Sequence, residues 1–170
     1  MEHPTYLQSE VLHINSDIEN LVICAPEHHG RKVAALLYGL KKFVNCEQGA
    51  LAVLVHSKEA AFHVQHILAT LTHLPCFNLY QKQPPEDLLE KLTVVGSPMQ
   101  IEALRKDLKD RVQYMLALEF DYLTSFGYSE CLHRLFGSSQ GAFVLVVGSE
   151  SKELAEFKEK YFKKTLNVTL

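Results

Sequence analysis

Short apolar runs rich in β-branched residues alternate along this chain with longer stretches of helical period, and that alternation restricts the fold more than any other feature. In order they read "NLVIC", "RKVAALLYGLKKFV", "ALAVLV", "KEAAFHVQHILATL", "CFNLY", "PEDLLEKL", "LTVVG", "QIEALRKDL", "VQYMLALE", "SECLHRLFG", "AFVLVVG", "KELAEFKEKYF" and "LNVTL". The strand-sized runs are apolar at consecutive rather than alternate positions, so both faces of each strand are expected to be covered. Amphipathic helices between such strands supply that cover, and right-handed crossovers then lead to a parallel sheet with helices on both faces. The fold class is α/β, a doubly wound parallel sheet. "QKQPPE" reads as a single loop that opens a helix at Pro85, and no internal repeat, low-complexity tract or linker interrupts the pattern.

At 170 residues, 47% of them hydrophobic, the chain carries core material for one domain, residues 1–170. A net charge of −3 provides no global basic field to draw the surface to DNA or to an anionic membrane. Apolar runs such as "GALAVLV" fall short of the roughly 20 residues that a bilayer span needs. The start "MEHPTYLQSE" has no charged-then-apolar leader. The expectation is a cytoplasmic protein with neither membrane nor DNA as partner. Cys24, Cys46, Cys76 and Cys131 lie far apart without a CxxC pair, which reads as free thiols in a reducing compartment. His56, His63 and His66 fall near helical spacing, but nothing nominates a convergent fourth ligand, so no metal site is read there.

Doubly wound sheets bind ligands at the carboxyl ends of their strands, which directs attention to the loops after each apolar run. In turn these are "APEHHGRKVAALL", "HSKEAA", "VGSPMQI", "LEFDYLTSFGY" and "VGSESKELAEF". Their order and spacing resemble the first RecA-like domain of a DEAD-box RNA helicase, with its P-loop "AxTGxGKT", then "PTRELA", "TPGR", "DEAD", and "SAT" before "KEVEEF". The opening "PTYLQ" is similar to the family's adenine-reading "PTxxQ". The resemblance spans essentially the whole chain and rests on collinearity, since no single motif is specific.

Carried over residue by residue, the resemblance makes Gln8 the adenine-contacting glutamine and places Ala25, Gly30, Arg31 and Lys32 in the P-loop. There His28 stands where the family has glycine, Arg31 where it has the phosphate-binding lysine, and Lys32 where it has threonine. A P-loop turns tightly so that backbone amides can cradle phosphate, and a histidine at 28 is expected to disfavour that turn. The planar fork of Arg31 does not replace a compact ammonium, and Lys32 lacks the hydroxyl that helps to hold magnesium. In the acidic motif Glu119 and Asp121 match, with Glu119 in the place that orients the attacking water. Leu118 replaces the metal-holding aspartate, so both acids read as vestigial and no metal is expected. Gly148 and Ser149 close the "SAT" motif. On the RNA-facing loops Ser57, Lys58 and Glu59 match "TRE", and Ser97 and Pro98 match "TP", while Met99 and Gln100 replace glycine and arginine.

What the resemblance implies is a helicase-like domain that has lost efficient ATP hydrolysis, with no cofactor beyond weak ATP binding. It would act as an RNA-associated or protein-interaction scaffold. RNA contact by this domain alone is expected to be weak, because a full helicase has a second RecA-like lobe and the chain reads as one domain of a larger protein. Protein partners or self-association are expected through "KEKYFKK" or "YQKQPPE". Two alternatives stay open, an active ATP-dependent RNA helicase lobe with unusual motifs and an unrelated doubly wound domain for another nucleotide. Among helicase-like proteins with eroded motifs, the resemblance points to the Tudor-domain-containing, Yb-like members of the piRNA pathway. That implies RNA-mediated gene silencing in cytoplasmic ribonucleoprotein granules.

Overall fold

The sheet is built from β1 (Asn20–Cys24), β2 (Ala50–Leu54), β3 (Cys76–Asn78), β4 (Leu92–Gly96), β5 (Val112–Ala117), β6 (Ala142–Val147) and β7 (Thr165–Thr169). In a computed structural model that describes residues 4–14, 20–86, 90–162 and 164–170, these seven strands run β3-β4-β2-β5-β6-β1-β7. Every neighbouring pair is parallel. β1, β2 and β4 are buried at every position, as strands covered on both faces must be.

Helices α1 (Tyr6–His13), α2 (Arg31–Val44) and α3 (Lys58–Leu71) pack Leu7, Val11, Leu36, Phe43, Val64 and Leu68 against one face, where Leu21, Ile23, Leu51 and Val53 meet them. The other face carries α4 (Pro98–Glu102), α5 (Lys106–Asp110), α6 (Phe120–Ser125), α7 (Ser129–Ser138) and α8 (Lys152–Tyr161). Their core is aromatic: the Phe157 ring meets Phe120 edge-on at 4.9 Å, and Phe136 meets Phe143 at 4.5 Å. The doubly wound parallel sheet read from the sequence is the fold observed.

Three local expectations need amendment. "QIEALRKDL" is two short helices rather than one, because Arg105 is extended (ψ 145°) and its guanidinium turns to Asp107 and to the Pro85 carbonyl. The helix expected from Pro85 falls mainly on residues 87–89, which lie outside the described residues, and Glu86 before them forms a turn. α1 is an addition, set by a capping box in which the Thr5 hydroxyl accepts from the Gln8 amide and the Gln8 side chain accepts from the Thr5 amide. No helix among the described residues is long and apolar enough to cross a membrane.

Candidate functional site

The loop after β1 leaves the sheet at Ala25, whose amide donates to the Val147 carbonyl, and reaches α2 through an exposed stretch, Pro26–His29. The tight turn is made, contrary to what His28 suggests. His28 takes the left-handed conformation at φ 65°, and Gly30 follows at φ 73°. That region costs a non-glycine residue about 1–2 kcal/mol, and histidine is among the residues that tolerate it best. At Gly30 the left-handed backbone favours glycine, and a Cβ there would lie 2.6 Å from the Gln8 side-chain Nε2, which would have to move.

Gln8 is thus brought over the loop, as the "PTYLQ" reading places it, but its amide is engaged. Only 2% of it is exposed, and its Oε1 accepts from the Thr5 N–H at 3.1 Å. The Thr5 hydroxyl in turn donates to the His29 carbonyl. α1 therefore forms a lid on the turn at Gly30.

Arg31 and Lys32 open α2, and both cations are directed at the protein itself. Arg31, 3% exposed, folds back over its own loop and donates from Nη1 to the Ala25 carbonyl at 2.7 Å, with Nη2 3.7 Å from Glu27 Oε1. It also lies so close to β6 that a Cβ on Gly148 would come within 3.1 Å of Nη1. The guanidinium becomes a wall between two clefts. One, of about 290 Å³, is lined by Glu27, His28, Gly30, Lys32, His63 and Glu119. The other, of about 350 Å³, is lined by Pro26, Asp121, Tyr122, Ser125 and Gly148. Each is at or near the small end of the usual range for ligand pockets, about 300–1,000 Å³.

Lys32 Nζ lies 2.8 Å from Glu119 Oε1. Glu119 is 7% exposed and sits in the left-handed region at φ 57°, which turns its carboxylate from the end of β5 toward α2. On its other oxygen, His56 Nδ1 stands at 3.2 Å but is not aligned for a hydrogen bond. The His56 ring stacks on both Tyr122 and Phe126, with centroids 5.5 Å away in each case. Asp121 bridges to the last core strand, its Oδ2 accepting from the Gly148 N–H at 3.0 Å, while its Oδ1 is buried without a partner among the described residues. Leu118, 1% exposed, belongs to the core beside Leu116 and Val53.

The resemblance implies nucleotide and magnesium, and the residues present do not fit the metal. A hard cation takes six or so oxygens, whereas Leu118 supplies none and the one carboxylate of Glu119 already faces an ammonium. Among the described residues no group of three or more His, Cys, Asp or Glu side chains is placed to hold a metal ion.

On the loops that the resemblance makes RNA-facing, Ser57 caps α3 by accepting from the Ala60 amide, and Ser97 caps α4 in a second capping box with Gln100. Pro98 is buried at the first turn of α4, and the Gln100 amide nitrogen reaches the Leu79 carbonyl. Of the residues nominated there Lys58 and Glu59 are exposed, the Lys58 ammonium 5.9 Å from the Phe62 ring, and Met99 stands out at 63% exposed. Sequence reasoning passed over Glu27, Tyr122 and Phe126. The Tyr122 hydroxyl donates to Glu27 across 95 positions of sequence, and no local pattern signals such a pair.

No protein-family model matches the chain, and no curated protein matches it either. Solved structures do. A DEAD-box protein from the hyperthermophile Methanococcus jannaschii superposes with TM-score 0.78 at 21% identity, over 98% of this chain and 49% of its own. The fold is that of a RecA-like helicase domain. The Saccharomyces cerevisiae protein Dbp5, as a point variant bound to Nup159, Gle1, IP6 and ADP, superposes at TM-score 0.80 with 16% identity, over 99% of this chain and 48% of its own. A hypothetical ATP-dependent RNA helicase from Sulfolobus tokodaii does so at TM-score 0.73 with 14% identity, over 100% of this chain and 54% of its own. This RecA-like domain spans about half the length of the structures it matches.

Proposed function

We propose that this chain is a DEAD-box-like helicase lobe that has lost efficient ATP hydrolysis and serves as an RNA-associated or protein-interaction scaffold. The observation that carries the reading is that both cations at the start of α2 are committed internally, Arg31 to the Ala25 carbonyl and Lys32 to Glu119. Removing one preorganised charge-stabilising group from an active site costs about 3–4 kcal/mol of barrier. Here the phosphate cation is turned aside, the water-orienting carboxylate is neutralised, and a leucine replaces the metal ligand. The losses are not additive within one site, yet one of them suffices to remove a useful turnover. Residual ATP contact would come from Gln8 and the loop amides, without metal.

RNA binding by this lobe alone is weak on this reading. Ser57, Ser97 and Pro98 are taken up by helix caps and Lys58 is the remaining cation there, whereas RNA affinity scales with the number of phosphate contacts. Protein docking outlasts the chemistry, and the solved Dbp5 structure in complex with Nup159 and Gle1 is in keeping with such a use. The finer assignment, to the Tudor-domain-containing Yb-like proteins of the piRNA pathway and to cytoplasmic granules, rests on the eroded motifs alone.

The test is titration of ATP with and without magnesium, alongside a hydrolysis assay, on the unmodified chain and on the triple change His28→Gly, Arg31→Lys, Lys32→Thr. The unmodified chain should show no hydrolysis and at most feeble, magnesium-indifferent binding. Magnesium-dependent binding in the low micromolar range, or turnover stimulated by RNA, would overturn the reading.

A further inference from the structure

The contact between Lys32 and Glu119 joins two departures that look unrelated in sequence. Lys32 is the second residue of a 14-residue helix, at the end where the peptide dipoles already leave positive potential. A second positive charge there is unfavourable unless an anion faces it. Glu119 is that anion, and it has the complementary problem, a carboxylate almost withdrawn from water whose burial is costly unless a cation accompanies it. Each residue removes the other's penalty at 2.8 Å.

We infer that the Lys32 ammonium is a tethered replacement for the divalent cation, so that this site is charge-balanced without metal and blind to it. The inference rests on the reading of the chain as a helicase-like lobe and deepens it. Three observations support it. The ammonium lies between the start of α2 and the end of β5, the two elements that the resemblance makes the flanks of the cation. The charges at the contact match as well: with leucine at 118, Glu119 is the carboxylate that faces α2 and the Lys32 ammonium neutralises it, while Asp121 is turned to the Gly148 N–H. Finally, Glu119 holds a left-handed backbone that few non-glycine residues adopt, and that turn aims its carboxylate at Lys32. The ion pair thereby also ties α2 to the loop that starts α6, next to the Tyr122–Glu27 bond.

Magnesium should not move the melting temperature of the unmodified 170-residue chain, in the absence of any nucleotide. Leu118→Asp restores the missing carboxylate inside the core and should lower the melting temperature by many degrees, and millimolar magnesium should not restore it, because Lys32 holds the place. Adding Lys32→Thr to Leu118→Asp vacates that place, and magnesium should now raise the melting temperature by several degrees. A magnesium response in the unmodified chain or in Leu118→Asp alone would overturn the inference, and so would no response in the double variant. Should the Leu118 variants fail to fold, a mutant cycle of Lys32→Met and Glu119→Gln in the native background decides. The double change should be more stable than the two single losses sum to, and simple additivity would defeat the pairing. No nucleotide enters these measurements, so a negative result leaves the absence of ATP turnover standing, whereas magnesium-dependent turnover in the ATP assay would overturn both readings.

Discussion

Two pairs of loops at the same edge of the sheet are built in opposite ways. After β2 and β4, Ser57 and Ser97 have ordinary extended backbones (φ −148° and −69°) and satisfy the next helix within three residues. After β1 and β5, His28 and Glu119 are held at φ 65° and 57°, and besides bonds within each loop, such as Arg31 to the Ala25 carbonyl, polar groups pair across the gap between the loops, Lys32 with Glu119 and Tyr122 with Glu27. The first pair caps its own helices without a left-handed non-glycine residue, although His56 beside Ser57 packs on Tyr122 and Phe126 of the loop and helix after β5. The second persists because its loops determine one another, as left-handed non-glycine residues require of their surroundings. The shape of the loops after β1 and β5 is thus maintained in part by pairing between residues far apart in sequence.

The contrast can be tested from its most strained point outward. Gly30→Ala combines a left-handed backbone with a Cβ 2.6 Å from the Gln8 amide, and should cost about 2 kcal/mol in urea unfolding. Loss of α1 protection in amide exchange should accompany it; a change within experimental error would show that α1 does not rest on that turn. On the capped side, Ser97→Ala and Ser57→Ala should each cost about 1 kcal/mol and leave the nucleotide-side loops unaltered by exchange. If either perturbs the loops after β1 or β5, the two pairs are not independent. The smallest effect belongs to His28→Gly, where relief of the left-handed residue is offset by the greater entropy of glycine in the unfolded chain. Its stability should stay within about 0.5 kcal/mol of the parent, and a larger loss would mean that the His28 side chain itself supports the turn.

Sequence disclosed the elements that local physics determines. β1, β2 and β4 are unbroken apolar runs, and their pattern carries both the parallel sheet and its two-sided cover. The Thr5 to Gln8 capping box was equally present in "PTYLQ" as a helix start, although eight residues with little apolar periodicity hid α1. The strand order was not legible, since nothing in "AFVLVVG" says that it lies beside "NLVIC" rather than at an edge. At the site, the sequence marked Arg31, Lys32 and Leu118 as substitutions but could not say where the side chains go. An arginine turned onto a carbonyl of its own loop, and a lysine paired with a glutamate 87 positions on, are decided by tertiary packing after the backbone has been placed.

The position of β1 has a consequence for how the molecule is made. Its neighbours are β6 and β7, through pairs such as Leu21 with Val144 and Asn20 with Thr165. At about 5–20 residues per second, a ribosome would leave "NLVIC" without a partner for roughly 6–25 s while the intervening chain is synthesised. An apolar segment in that condition is open to wrong pairing, and a released fragment ending at Gln140 should be cut by protease at Asn20–Cys24 while β2, β4 and β5 resist. β1 is the strand that waits longest for its partners, and it is the part a folding chaperone would have longest to hold.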